Sequence, residues 1–189
     1  MLGGASLHMM AGSTMVFNSD AGTSIGAGQT VIAEGSLNVY AQNVSDSNTY
    51  LWNLKGGESV SNGDTLTFNG SSNPTVAGNI SYAGNIVTSS QTGSSMTFTG
   101  DIQAESFKVA HYYGRIHMAG NELAVNKLWV GAGGGYDNSL YGALDLDSGN
   151  VTTAGQVRLA ELGHGVLNVN QGSSLTAVSY THLRAHETL

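Results

Sequence analysis

A chain of 189 residues with a formal charge of −7 gives 81 positions to Gly, Ser, Thr and Asn and only 10% to Asp, Glu, Lys and Arg, against roughly 25% charged residues in an ordinary soluble domain. So few long charged side chains exclude a helical bundle and disfavour a doubly wound α/β fold, while 40% hydrophobic residues exclude a disordered linker. Lys55, Lys108, Arg115, Lys127, Arg158 and Arg184 are scattered, which excludes a basic nucleic-acid footprint or an anionic membrane surface, and the absence of Cys removes disulfides, Cys zinc sites and thiol catalysis.

Met1 to Ala5 carry neither the basic nor the apolar region of a signal peptide, so an exported parent is expected to carry its signal upstream. No stretch reaches the roughly 18 apolar residues of a membrane helix. From there the chain reads as short strands punctuated by glycine. Leu7-His8-Met9 with Gly12 comes first, and Gly35-Ser-Leu-Asn-Val39 repeats half of the pattern. A related form recurs at Gly12-Ser-Thr-Met-Val-Phe17, Gly63-Asp-Thr-Leu-Thr-Phe68 and Gly93-Ser-Ser-Met-Thr-Phe98. The clearest copies lie late: Gly142-Ala-Leu-Asp-Leu-Asp-Ser-Gly149 aligns with Gly165-Val-Leu-Asn-Val-Asn-Gln-Gly172 at an offset of 23 residues. Short strands precede each, at Leu128-Trp-Val-Gly131 and Val157-Arg-Leu-Ala160. The first copy carries six extra residues, Tyr136 to Tyr141.

Leu144 and Leu146 are two apart and share one strand face, while Asp145 and Asp147 are expected to face water. Two inward residues make no core alone, so the spacing predicts that Leu144 stacks on Leu167 and Leu146 on Val169 in parallel. Gly149 and Gly172 are expected at sharp turns with positive φ. Stacking at ~20–25 residues per turn gives an all-β parallel β-helix solenoid of seven or eight rungs, on the order of 35 Å long. Residues 1–127 form degenerate repeats of this kind and residues 128–177 the better-conforming ones.

The pattern over 128–177 resembles the repeat shared by type V autotransporter passenger domains and PEP-CTERM surface proteins, roughly Val-Gly-x-x-Gly-x-Gly-x-Leu-x-Val-x-x-Gly-Gly. Asn150 and Ser173 replace the second Gly, and Ala160 replaces the Gly after the strand. The resemblance implies export, a right-handed β-helix and a display or stalk role. It brings no catalytic residues.

From Val178 the style changes. Ser179-Tyr-Thr-His-Leu-Arg-Ala-His-Glu-Thr188 resembles translated sequencing-adapter DNA of the kind that terminates metagenomic reading frames. Residues 178–189 are therefore expected to be a non-native tail making few contacts, with the parent protein continuing past Ala177. His182, Arg184, His186 and Glu187 are accordingly set aside as site residues.

Four features carry candidate chemistry. Ala132-Gly-Gly-Gly-Tyr-Asp137 is close to the calcium nonapeptide Gly-Gly-x-Gly-x-Asp, which makes Asp137 a candidate metal ligand. Calcium β-rolls stack many copies and this chain has one, so a loop without metal or cofactor is expected. Gly131-x-Gly133 lacks the third Gly and the helix of a nucleotide loop. His111, Tyr113, Arg115 and His117 alternate along one predicted strand and share a face. The two His stand about 20 Å apart, too far for one ion, so the stripe is a candidate glycan or partner contact. Asp145 and Asp147 lie about 7 Å apart, within the range of paired glycosidase carboxylates. Their repeat mates are Asn168 and Asn170, an exchange that a solvated face tolerates, so Asp145→Asn is expected to cost within about 0.5 kcal/mol. Trp52 and Trp129 are expected in the core or at a rung edge. The Asn-x-Ser/Thr triplets at Asn43, Asn69, Asn79 and Asn150 are expected by chance in so Asn-rich a chain.

The expectation is a non-enzymatic structural or adhesive segment of a secreted or surface-displayed bacterial β-helix protein. It has no cofactor, no nucleic-acid partner and no transmembrane segment; glycans or a neighbouring cell surface are the candidate partners. Its location is extracellular or on the outer-membrane surface, and the parent carries a separate anchor or translocator. The alternative is a carbohydrate-active β-helix enzyme or a tailspike-like glycan binder, which Arg and carboxylates converging in one groove would favour.

Overall fold

The computed structural model describes residues 6–18, 30–42, 49–51, 53–70, 73, 75–90, 95–110, 115–131, 141–160 and 164–183. Among them the chain forms seventeen strands and no helix. One file stacks β1 (Ser6–Met9), β3 (Thr30–Ala33), β6 (Asn53–Gly56), β9 (Ile80–Ser90), β11 (Ile102–Val109), β13 (Glu122–Val130), β15 (Asn150–Leu159) and β17 (Ser174–Leu183). A second file, β2 (Thr14–Asn18), β4 (Leu37–Gln42) and β7 (Thr65–Gly70), joins it at β9 to make an 11-stranded sheet. A six-stranded sheet stacks β5 (Thr49–Leu51), β8 (Thr75–Ala77), β10 (Ser95–Phe98), β12 (Arg115–Ala119), β14 (Tyr141–Asp147) and β16 (His164–Val169). Every pairing between these strands is parallel. The chain is a parallel β-solenoid. The motif's register holds: Leu144 pairs with Leu167 and Leu146 with Val169.

Parallel stacking puts the same inward position of each rung into the same volume, so the core is built as columns. One runs Leu54–Ile80–Ile102–Leu123–Val151. Another runs Leu66–Ile86–Phe107–Leu128–Val157, and a third Met96–Ile116–Leu144–Leu167. All but Leu167 are buried. Where the columns meet, Phe98 packs edge-on against Phe68 at 5.5 Å and Phe107 at 6.0 Å between ring centroids.

The corners explain the polar composition. Asp101 N donates to Asn79 Oδ1 at 3.0 Å, and Glu122 N donates to Asp101 Oδ1 at 2.9 Å. Ser106 Oγ donates to Asn85 Oδ1 at 2.7 Å. Short Asn and Asp side chains thus take up backbone groups where the chain leaves the ladder, and Ser106 bonds one of them in turn. At β9 the corner collapses: β6 and β7 are separate strands, whereas their counterparts in β9 run together through Ala83 and Gly84. A Cβ at Gly84 would sit 2.5 Å from Asp64 O, so only glycine fits that approach.

Tyr82 is buried beside this corner and its hydroxyl donates to Gly35 O. Burial, aided by the Asp64 carboxylate, pushes its pKa up to about 12 from an ordinary value of 10.0. The folded state therefore favours the neutral phenol. That contribution is full below pH 10 and is lost as pH rises through about 12. Urea unfolding should show stability falling across this alkaline window, with the step absent in Tyr82→Phe. A wild-type minus Tyr82→Phe phenolate titration centred at pH 10 would contradict the burial described.

Four expectations need correction. Gly172 does take a left-handed φ of +82°, but in the other copy the left-handed residue is Ser148 at +63°. Gly149 serves close approach instead, since a Cβ there would lie 2.9 Å from Asn121 O. Asp145 does not face water: it is buried, with 3% of the residue exposed. Trp129 is not in the core: the inward neighbours Leu128 and Val130 flank it, and it stands half-buried on the outer side. Residues 178–189 do not all stand apart, because β17 continues through Leu183, with Gln156 paired to Ser179, Val157 to Tyr180 and Leu159 to Leu183. Residues 184–189 and Trp52 lie outside the described residues.

Candidate functional site

The outer face of β12, β14 and β16 carries the densest set of charged and polar side chains that sequence reasoning singled out. Ile116 and Met118 are buried in the core, so strand alternation turns Arg115 and His117 outward. The register sets His117 beside Asp145, Arg115 beside Ala143, and Asp145 beside Asn168. Arg115 and His117 then each reach diagonally, one strand across and two residues along. Arg115 grips Asp145 with two donors, Nε to Oδ2 at 2.8 Å and Nη2 to Oδ1 at 2.5 Å. Asn168 Nδ2 donates to the same Oδ1 at 2.5 Å. His117 Nδ1 lies 2.8 Å from Asp147 Oδ2, and its Nε2 lies 3.7 Å from Asp145 Oδ2. Asn170 Nδ2 donates to Asp147 Oδ1 at 2.6 Å.

The two carboxylates are not equivalent. The Asp145 side chain is 4% exposed while that of Asp147 is 43% exposed. The hydrogen bond with His117 holds the Asp147 carboxyl below its usual range, opposed by partial burial and reinforced by Asn170. Asp147 is therefore an ionised acceptor, not a proton donor. Asp145 has both oxygens engaged by Arg115 and Asn168. A glycosidase-type pair needs one carboxyl kept protonated beside the bond to be cut. This arrangement resembles instead a charge ladder running along the solenoid axis.

The same geometry explains the Asp-to-Asn exchange between repeat copies. Asp145 has Arg115 on its diagonal; Asn168 has Ala143 there, because Asn168 pairs with Asp145 and Val166 with Ala143. Asp147 has His117 on its diagonal; Asn170 has Asp145. The acid stands where Arg115 or His117 faces it and the amide stands where neither does.

Of the predicted stripe, the structure brings Arg115 and His117 together, whereas His111 and Tyr113 lie outside the described residues. So do Asp137 and the glycine run before it. Among the described residues no group of three or more His, Asp and Glu could hold a metal ion, and no helix is long and apolar enough to cross a membrane. Sequence reasoning missed the contact between the stripe and the carboxylate pair. Comparison with protein-family models, with curated proteins and with solved structures finds no match.

Proposed function

We propose that this chain is a non-enzymatic structural and adhesive segment of a bacterial secreted or surface-displayed β-helix protein, similar in role to an autotransporter passenger. The observation that carries the reading is the pairing of outward polar groups with one another along the axis. Arg115–Asp145–Asn168 and His117–Asp147–Asn170 tie successive strands together and occupy the oxygens of both carboxylates. Such ladders stiffen a rod and present a regular polar surface. The parent would then carry export, anchoring or translocation elements of its own, and the half-buried Arg115 and His117 would meet glycans or a neighbouring surface.

A second reading, a carbohydrate-active β-helix enzyme, is favoured by one fact: Arg115 and His117 do converge on Asp145 and Asp147. A polysaccharide panel separates the two. The purified chain should be retained on at least one polysaccharide resin while releasing no new reducing ends. Reducing-end release that Asp147→Asn abolishes would overturn the structural reading, and retention on none would remove its adhesive half.

A further inference from the structure

Parallel stacking leaves a trench along the outer face of the 11-stranded sheet. Ile80, Ile102 and Leu123 pair with one another and turn their side chains into the core, so only backbone lies on the outer face at these positions. The residues on either side point outward. Asn79, Asp101 and Glu122 make one wall, and Ser81, Gln103 and Ala124 make the other. The second wall belongs to a column that runs from Lys55 to Thr152, and its side chains are shortest at Ser81 and Ala124, where the trench opens. Its volume of about 310 Å³ stands at the lower end of ligand-sized clefts.

The walls are set before anything binds. Asp101 N donates to Asn79 Oδ1 at 3.0 Å and Glu122 N to Asp101 Oδ1 at 2.9 Å, which holds the Asn79 and Asp101 side chains along the axis. The second oxygen of Asp101 stays open to solvent. The side chains of Glu122, Gln103 and Ser81 are exposed and make no hydrogen bond among the described residues. Carboxylates accept hydrogen bonds, while an amide and a hydroxyl both donate and accept, which is the set that sugar hydroxyls need. Neither Asp101 nor Glu122 forms an ion pair among the described residues, so the pair repels a uronic acid or a sulfate ester. Successive rungs are ~4.8 Å apart, close to the length of one unit in an extended β-linked sugar chain, so a chain laid along the axis meets both walls once per sugar.

We propose that this trench binds a single extended chain of a neutral polysaccharide, with its hydroxyls on Asp101, Gln103 and Glu122. The proposal rests on the adhesive reading above and names a ligand class for it. The contact lies on the 11-stranded sheet, separate from Arg115 and His117 on the six-stranded one. Side chains already fixed by the next rung lose little conformational freedom on binding.

The test uses the full chain with soluble β-linked glucomannan, flexible α-linked dextran and polygalacturonate, read by affinity electrophoresis in EDTA. Glucomannan should bind, and dextran and polygalacturonate should not. Gln103→Ala, which removes a wall group, and Ala124→Gln, which fills the trench, should each weaken glucomannan binding about tenfold. Glu58→Gln, outside the trench, should leave it unchanged. Asp101→Asn with Glu122→Gln should admit polygalacturonate. Circular dichroism and a urea midpoint identify any variant that misfolds, and the two wall variants act by opposite means, so either stands without the other. Glucomannan binding that ignores both wall variants, or is lost in Arg115→Gln instead, overturns this site but spares the adhesive reading. Wild-type binding of polygalacturonate as tight as that of glucomannan overturns the ligand class. Failure of glucomannan to bind overturns the proposal, and only if no other polysaccharide is retained does the adhesive reading fall with it.

Discussion

Phe98→Ala should cost about 3–5 kcal/mol of stability, the largest effect expected from any single side chain in the rod. Phe98 is 1% exposed and sits edge-on to both Phe68 and Phe107. These three rings come from different strands, β10, β7 and β11, so the cluster joins the two sheets across the core. Truncation removes the transfer energy of the ring and leaves a cavity. Neighbouring strands cannot close that cavity, because ladder hydrogen bonds fix their separation. In a stack where each rung touches only its neighbours, the damage is local. Hydrogen exchange should accelerate first in β8, β10 and β12 and last in β15. A measured loss below about 1 kcal/mol would mean that the ring is not enclosed as described.

Asp145→Asn should cost about 1.5–3 kcal/mol, several times what its repeat mate suggests. The substitution keeps the shape and the partner Asn168 but leaves Arg115 facing a neutral amide. Arg115 is 42% exposed and recovers some hydration, which keeps the loss below that of a wholly buried pair. Arg115→Gln should cost more than Asp145→Asn, because it strands a carboxylate that is only 4% exposed, and the double variant should cost less than the sum. Chemical denaturation of the four proteins gives this coupling directly. Additive losses, or a loss within about 0.5 kcal/mol for Asp145→Asn, would restore the expectation of a solvated, exchangeable position.

The contrast between these residues shows where sequence reasoning reached and where it stopped. The Gly-x-Leu-x-apolar pattern at 142–149 and 165–172 carries its own register, so the pairing of Leu144 with Leu167 could be read directly. Alternation placed Arg115 and His117 on one face for the same reason. What could not be read was that this face lies against Asp145 and Asp147. Arg115 pairs with Ala143 at an offset of 28 residues, five more than the 23 of the next pair. The extra residues expected at 136–141 fall between them and hide the period, although Tyr141 itself has a counterpart in His164. The outward neighbours Lys108, Trp129 and Arg158 are hidden likewise: Lys108 and Trp129 are 21 residues apart, Trp129 and Arg158 are 29. Earlier rungs are obscured by their corners, which span residues 57–64 between β6 and β7 and shrink to Ala83 and Gly84 within β9. A solenoid tolerates such variation because strand pairing, not loop length, sets the stack.

The central claim is that residues far apart in sequence stand at fixed strand spacings along one axis. Ser81, Gln103, Ala124, Thr152 and Thr176 form one outward column, each paired with the next. The chain has no Cys, so Ser81→Cys with Thr176→Cys gives a unique spin-label pair 95 residues apart in sequence. Pulsed dipolar spectroscopy should find one distribution near four strand spacings, about 20 Å, broadened by the label linkers. A distribution centred well beyond that, or one typical of an unordered chain of this length, would contradict the parallel stack and every inference drawn from its register.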